Sequence, residues 1–148
     1  MNNFTHLHVH TEYSVLDGLA KIPQLIAKAY NDGQRAIAIT DHGNMYGVFE
    51  FVKEVDKFNK SSLATPSEPM KAIIGCEVYV ASDSAQIKSS KEHRSGRHLI
   101  LLAKNMEGYR NLSTLVSIGF QSENFYYTPR IDKQLLRQYS SGLIACSA

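Results

Sequence analysis

The chain has 148 residues, of which 43% are hydrophobic and 20% charged, a balance typical of a soluble domain that buries one core. The formal net charge of +2 is too small to indicate nucleic-acid binding through bulk electrostatics. Two cysteines, Cys76 and Cys146, exclude a disulfide scaffold and favour a reducing, cytoplasmic setting. The sequence contains neither a signal-peptide pattern nor an apolar run of about 18 residues, so we expect no export and no membrane contact.

Strand-like and helical patterns alternate along the chain. Residues 6–10 predict a first strand, and an apolar stripe from Ile22 to Tyr30, with Pro23 in its first turn and Gly33 after its end, predicts a helix. The later predicted strands are 35–40, 72–81, 98–103 and 142–148, the later helices are 48–59, 109–119 and 131–138, and loops are predicted at 60–71 and 83–96. This order predicts an α/β fold with a parallel sheet, either open and doubly wound or closed into a barrel.

The first predicted strand carries three histidines. His8 and His10 stand two residues apart, so a strand places both imidazoles on one face, close enough to share a metal ion. Taken alone, such a pair is also compatible with a surface role. For His6, which lies one step further from the strand end, a surface or capping role is the better interpretation.

A further histidine follows the next predicted strand, in the sequence Thr40-Asp41-His42-Gly43. Ligands from the ends of different strands converge on the edge where α/β folds place their active sites, so His42 is expected near His8 and His10. Asp41 either orients an imidazole from behind or caps the helix that follows.

Two carboxylates extend this group. Glu77 stands inside an apolar strand, where an ionised carboxylate is costly unless a cation or hydrogen bonds compensate it. Asp17, before Gly18, would be a turn residue if considered alone. His98 opens the strand 98–103, and in a parallel sheet that position points away from the site, so spacing alone favours a core histidine.

Together these residues offer nitrogen and oxygen donors for more than one divalent ion, without a thiolate set. A multinuclear site of this kind favours phosphoester hydrolysis by a metal-activated water, with no protein nucleophile assigned. The sequence contains no Ser-His-Asp order, glycine-rich phosphate loop or G-x-S-x-G element that would support another mechanism.

The loop at 83–96 and the next strand start are basic, and an aromatic pair follows later. The basic residues either contact a nucleic-acid backbone or form a solvated loop, and the tyrosines either stack on bases or pack their own loop. These residues are Lys88, Lys91, Arg94 and Arg97, with Tyr126 and Tyr127. Cys76, beside Glu77 on the other face of its strand, is most simply a core residue.

The motifs H-V-H, T-D-H-G, I-I-G-C-E and H-L-I-L-L-A resemble, in this order, those of the PHP (polymerase and histidinol phosphatase) superfamily. The resemblance implies an α/β fold, the N-terminal portion of a PHP-type distorted (β/α)7 TIM-like barrel. It also implies up to three divalent metal ions, Zn or Mn, and assigns His98 to the site despite its spacing. The implied ligands are His8, His10, Asp17, His42, Glu77 and His98.

The same resemblance implies ligands beyond the sequence in hand. A cysteine ligand would follow Ala148 directly, because Cys146 has the wrong strand parity to replace it, and a D-x-H motif would come later. Residues 1–148 are therefore expected to be an incomplete PHP domain, with insertions near 60–71 and 83–96. We expect this fragment to bind metal weakly and to self-associate through unpaired strand edges.

Within the superfamily the intervening residues are similar to the N-terminal PHP domains of bacterial DNA polymerase III alpha subunits. This implies a cytoplasmic parent that is a DNA-directed DNA polymerase, a nucleotidyltransferase, acting on DNA with other replicase holoenzyme subunits. The polymerase carboxylates would lie in later domains, so these residues cannot polymerise. The PHP domain itself would be a 3′–5′ exonuclease or a structural support. A free-standing PHP phosphoesterase and a scaffold whose metals only stabilise the fold are the alternatives.

Overall fold

The computed structural model describes residues 4–89, 91, 94 and 96–148; Ser90, Glu92, His93 and Ser95 of the basic loop lie outside them. The chain divides into a first unit, residues up to Asp41 with Tyr46–Ile74, and a second unit, His42–Met45 with Gly75–Ala148. The described helices and strands are α1 (Ile22–Asn31), β1 (Ala36–Ile39), α2 (Val48–Asn59), β2 (Lys71–Val80), β3 (Arg97–Ala103), α3 (Met106–Gly119), β4 (Arg130–Ile131), α4 (Lys133–Gln138) and β5 (Leu143–Ser147). No described helix has the length and apolar character that crossing a membrane requires.

The first unit packs α1 and α2 beside a parallel strand pair. Strand β1 pairs with the first four residues of β2, from Ala36 opposite Lys71 to Ile39 opposite Ile74. The apolar stripe of α1 is buried, and the helix ends before Gly33, whose φ of 86° suits the turn that stops it. Both predicted helices of this unit are confirmed, and α2 has the predicted bounds.

The predicted first strand is wrong. Residues 6–10 run beside β1 with backbone hydrogen bonds from Ala38 N to His6 O (3.0 Å) and from Thr40 N to Val9 O (2.8 Å), but they form no strand. Side chains replace the other ladder partners, because His6 N donates to Gln34 Oε1 (3.0 Å) and Val9 N donates to Thr40 Oγ1 (2.9 Å). Side-chain acceptors thus satisfy backbone groups that a regular ladder would pair.

The second unit is built on a mixed sheet. The second half of β2 pairs antiparallel with β3, from Gly75 opposite Leu102 to Val80 opposite Arg97, and pairs parallel with β4. Strand β5 runs antiparallel to β3. The prediction of a parallel sheet is therefore wrong for β3. The described residues between β2 and β3 form no α-helix, and without such a crossover the chain turns back antiparallel.

The core of this unit lies between the sheet and α3. Buried apolar side chains of β2, β3 and β4 pack against Leu112 and Leu115, and Cys76 is fully buried among them, so its predicted core role is confirmed. Helix α3 begins after Asn105, whose side chain accepts a hydrogen bond from Gly108 N (2.9 Å). Asp132 caps α4 in the same way, with bonds from Gln134 N and Leu135 N.

Candidate metal centre

In the second unit, a buried carboxylate joins two histidines. Glu77 Oε1 lies 2.8 Å from His42 Nδ1 and 2.9 Å from His98 Nδ1, and Glu77 is only 1% exposed. A bridge between residues 42 and 77 sets this arrangement, with Gly43 N donating to Glu77 O (2.8 Å). At an ionised carboxylate each Nδ1 acts as the donor, so Glu77 fixes the orientation of both rings.

His98 reaches Glu77 because β3 is antiparallel to β2. In this register His98 stands opposite Tyr79, so the beginning of β3 lies beside the end of β2. Directly opposed residues share a face of the sheet, and Tyr79 shares its face with Glu77 two residues before it. The spacing argument against His98 was wrong because it assumed a parallel strand.

Two residues that the sequence analysis did not select hold this cluster. The Tyr79 ring meets the His98 ring edge to face, with centroids 5.0 Å apart, and lies nearly parallel to the His42 ring at 6.5 Å. Gly43 has a φ of 62°, and a Cβ on it would lie 2.7 Å from Pro129 Cγ and 3.0 Å from Tyr79 Cε2. The sequence offered one signal for each residue: Tyr79 follows Glu77 by two positions on the same strand, and Gly43 directly follows His42.

The first unit contains the second histidine pair. His8 Nε2 and His10 Nε2 lie 3.0 Å apart, with His8 exposed and His10 half-buried. Two imidazole nitrogens this close either share one proton or face a common cation. His6 is turned to another contact, an edge-to-face packing on Phe4 with centroids 4.7 Å apart.

Asp41 organises the loop that follows His10. The carboxylate is 2% exposed and accepts hydrogen bonds from Thr11 N (2.6 Å), Thr11 Oγ1 (2.9 Å) and Ser14 Oγ (2.9 Å). Ser14 Oγ in turn lies 3.4 Å from His10 Nδ1. The alternative that Asp41 caps the next helix is wrong, because Gly47 is the N-cap of α2.

Asp17 lies on the same loop, in a tight turn. Its backbone N donates to Ser14 O (3.1 Å), and Gly18 N donates to the same oxygen (2.7 Å). A Cβ on Gly18 would overlap the carbonyl group of Thr11, so the turn requires glycine there. Asp17 is exposed, and its role as a ligand stays a prediction.

The four basic residues have different surroundings. Lys88 Nζ donates to Ser122 O, Lys91 is exposed, and the Arg94 guanidinium lies 4.6 Å from the centre of the Tyr127 ring. Arg97 begins β3 and, by strand alternation, leaves the face opposite to His98. It lines a cavity with Lys133 there.

The donor atoms fit a divalent ion. In a tetrahedral site with metal–ligand distances of about 2.1 Å, neighbouring ligand atoms stand about 3.4 Å apart. The Nε2 atoms of His8 and His10 lie 3.0 Å apart, so a shift of a few tenths of an ångström would let both bind one ion. Imidazole and carboxylate donors without a thiolate suit borderline and hard divalent metals.

The decisive comparison is with protein families, where the PHP domain matches residues 6–148. The chain belongs to the PHP family. Three relatives of this PHP chain are named DNA polymerase III subunit alpha: 49% identical over 95% of the chain in Chlamydia pneumoniae, 47% over 99% in Treponema pallidum, and 40% over 99% in Aquifex aeolicus. The chain spans 11–12% of the length of these curated relatives.

A solved structure supports the fold. The PHP chain resembles a protein described as a metal-dependent phosphoesterase from Bifidobacterium adolescentis, with a TM-score of 0.51 and 19% identity. The match covers 79% of this chain and 33% of that protein. The predicted PHP-type α/β fold is therefore confirmed.

Proposed function

We propose that the chain is a divalent-metal phosphoesterase domain within a replicative DNA polymerase alpha subunit. The observation that carries this proposal is Glu77, a buried carboxylate that holds His42 and His98 at 2.8 and 2.9 Å. A polymerase is proposed because relatives with that name are 40–49% identical over 95% or more of the chain.

The proposed site uses six ligands for up to three divalent ions, Zn or Mn. Bound ions supply a water of lowered pKa and positive charge for the phosphate oxygens. The ligands are His8, His10, Asp17, His42, Glu77 and His98.

The chain's own groups orient these ligands. Glu77 accepts from both Nδ1 atoms and thereby fixes the ring orientation of His42 and His98, while Asp41, through Ser14, supports His10. These hydrogen bonds hold each imidazole ring in the orientation that metal binding requires. Asp41 is thus proposed as a supporting residue and not as a ligand.

The proposed substrate is the 3′ end of a DNA strand, which makes the domain a 3′–5′ exonuclease. In the cell the parent would copy DNA in the cytoplasm together with other subunits of its replicase. The residues in hand would contribute metal-dependent phosphoester hydrolysis and not the polymerase reaction.

A non-catalytic scaffold is the second candidate. The hydrogen bonds from His42 and His98 to Glu77 connect the three side chains, which is also what a structural role requires. In a scaffold, metal binding would stabilise the fold and no strand would be cleaved.

The test measures Mn and Zn binding by calorimetry and digestion of single-stranded DNA in the same samples. We expect Glu77→Gln and the double variant His8→Ala, His10→Ala to weaken metal binding at least about 10-fold and to abolish digestion. Glu107→Gln, at an exposed glutamate of α3, is the matched control. Unchanged metal binding in both variants would refute the metal site. Metal binding without digestion would favour the scaffold.

A further inference from the structure

An exposed and strained tyrosine lies in the second unit. Tyr127 has a φ of 64°, which a bulky residue rarely adopts, and it is 62% exposed. Tyr126 N donates to Thr128 O (3.2 Å), and Thr128 Oγ1 donates to Arg94 O (3.2 Å). These bonds fix a turn that holds the Tyr127 ring outward.

The Tyr127 ring is part of an aromatic and cationic surface. The Arg94 guanidinium lies 4.6 Å from its ring centre, and the Tyr126 ring meets it edge to face with centroids 4.8 Å apart. Both Arg94 and Tyr127 are exposed, so this cation–π pair faces solvent. We call Arg94, Tyr126 and Tyr127 the aromatic platform.

Basic side chains of the preceding loop accompany the platform. Lys91 is exposed, and Lys88 is half-buried with its ammonium group on Ser122 O. Acidic residues are also present: the sequence of the loop contains Asp83 and Glu92, and Glu123 near Tyr126 accepts a hydrogen bond from Ser122 Oγ (3.2 Å). With three basic against two acidic residues, the loop keeps a small net positive charge.

The platform adjoins the histidine–glutamate cluster within the same unit. Pro129, two residues after Tyr127, is so near Gly43 that a Cβ there would lie 2.7 Å from it. Arg130 pairs with Tyr79 in the sheet, and Tyr79 stands opposite His98. The platform segment therefore leads directly to the residues around Glu77.

We propose that the aromatic platform binds single-stranded nucleic acid and leads its end to His42, Glu77 and His98. Every base has a π-face, so an exposed tyrosine with a stacked guanidinium binds bases irrespective of sequence. Lys88, Lys91 and Arg94 supply the charge that phosphates require. This inference rests on the proposed phosphoesterase function and names the part of the substrate that the chain holds.

The test measures binding of a fluorescent oligothymidylate to the full 148-residue chain by anisotropy, with EDTA present so that no metal contributes. Tyr127→Gly removes the ring and relieves the positive φ, so it should not lower the unfolding midpoint. We expect it to weaken binding about 5- to 150-fold, the range for loss of one stacked base. Tyr127→Phe keeps the ring and should bind as the parent chain does.

Arg94 and an aromatic residue of the first unit complete the design. Arg94→Ala should weaken binding and reduce the salt slope by about 0.7, as expected for one phosphate contact on a single strand. Phe49→Ala removes an aromatic ring that is 80% exposed on α2 and should leave binding unchanged.

Two results would overturn the proposal. One is a folded parent chain, by circular dichroism, that does not bind the oligonucleotide at low salt; the surface would then suit a protein contact instead. The other is equal binding by the parent chain and Tyr127→Gly. Because EDTA is present, loss of metal binding in Glu77→Gln tests the proposed function separately.

Discussion

Asp41 offers the sharpest test of how the first unit is held together. Its buried carboxylate accepts three hydrogen bonds from Thr11 and Ser14, and these residues are only 0% and 2% exposed. A hydrogen bond to a charged group contributes about 1.5–3 kcal/mol, and a buried donor left without a partner costs about 1–3 kcal/mol. Contributions within one network do not add fully, so we expect Asp41→Ala to lower the free energy of unfolding by about 3–5 kcal/mol.

That loss is a large part of the total stability of a domain, about 5–15 kcal/mol. For a chain of this size it corresponds to a fall in Tm of about 10 °C. Asp41→Asn keeps the shape of the side chain, but its NH2 group would face the donors of Thr11 and Ser14. We therefore expect a loss of unfolding free energy smaller than that of Asp41→Ala. Because Ser14 links Asp41 to His10, both variants should also weaken metal binding, by about 10- to 100-fold.

Urea unfolding followed by circular dichroism measures the stability, and calorimetry measures metal binding. Asp32→Ala is the control, because Asp32 is 48% exposed and pairs with Lys28, which is 77% exposed; such pairs contribute about 1 kcal/mol at most. If Asp41→Ala and Asp32→Ala differed by less than about 1 kcal/mol, the Asp41 carboxylate would not support the loop, and the reasoning above would be refuted.

Three further predictions follow from individual contacts. Gly43→Ala should lower the free energy of unfolding by about 2–4 kcal/mol in urea titrations, because the added Cβ crowds Pro129 and Tyr79. Gly33→Ala, at a similar positive φ, is the control and should cost less. Equal losses in the two variants would contradict this explanation. Arg130→Met should lower the free energy of unfolding by about 3–5 kcal/mol in the same assay, because the fully buried guanidinium donates to the carbonyl oxygens of Ala85, Ile87 and Asn124. Arg137→Met, at an exposed arginine, is its control. The Tyr13 hydroxyl donates to Glu50 Oε2 (2.6 Å), and this bond raises the pKa of Tyr13 above 10.0. The stabilising effect of this bond is therefore fully present below pH 10.0 and is lost as pH rises through the raised pKa. The difference in unfolding free energy between the parent chain and Tyr13→Phe should shrink over that pH range. A difference independent of pH would refute the hydrogen bond from Tyr13 to Glu50.

Periodic features of the sequence were predictable because burial imposes them locally. Helix α2 has the bounds that its apolar stripe predicts, and the stop of α1 follows from Gly33. The pairing of His8 with His10 was also predictable, since any extended backbone brings alternate side chains together. These features depend on neighbours within a few residues.

Long-range partners were not predictable in the same way. Asp41 meets Thr11 and Ser14 about 30 residues earlier, and polar residues of a loop carry no period that identifies such partners. Arg130 is fully buried although arginine is mostly exposed, because backbone carbonyl oxygens of two other segments satisfy its donors. Burial by irregular segments leaves no pattern at the residue itself.

Strand direction explains why the site needs the reversed β3. A strand pattern is the same whichever way the strand runs. Periodicity therefore predicts that alternate residues share a face with His98, but it does not predict at which end of β2 His98 lies. With the seven residues of β3 parallel to β2, His98 would lie about 13 Å from its present position, towards the opposite end of the strand. The connection without an α-helix turns the chain back, and Tyr79 then stands opposite His98, next to Glu77. The loop between β2 and β3 thus does two things at once: it carries the basic residues beside the aromatic platform, and by its length and lack of an α-helix it delivers His98 to the carboxylate.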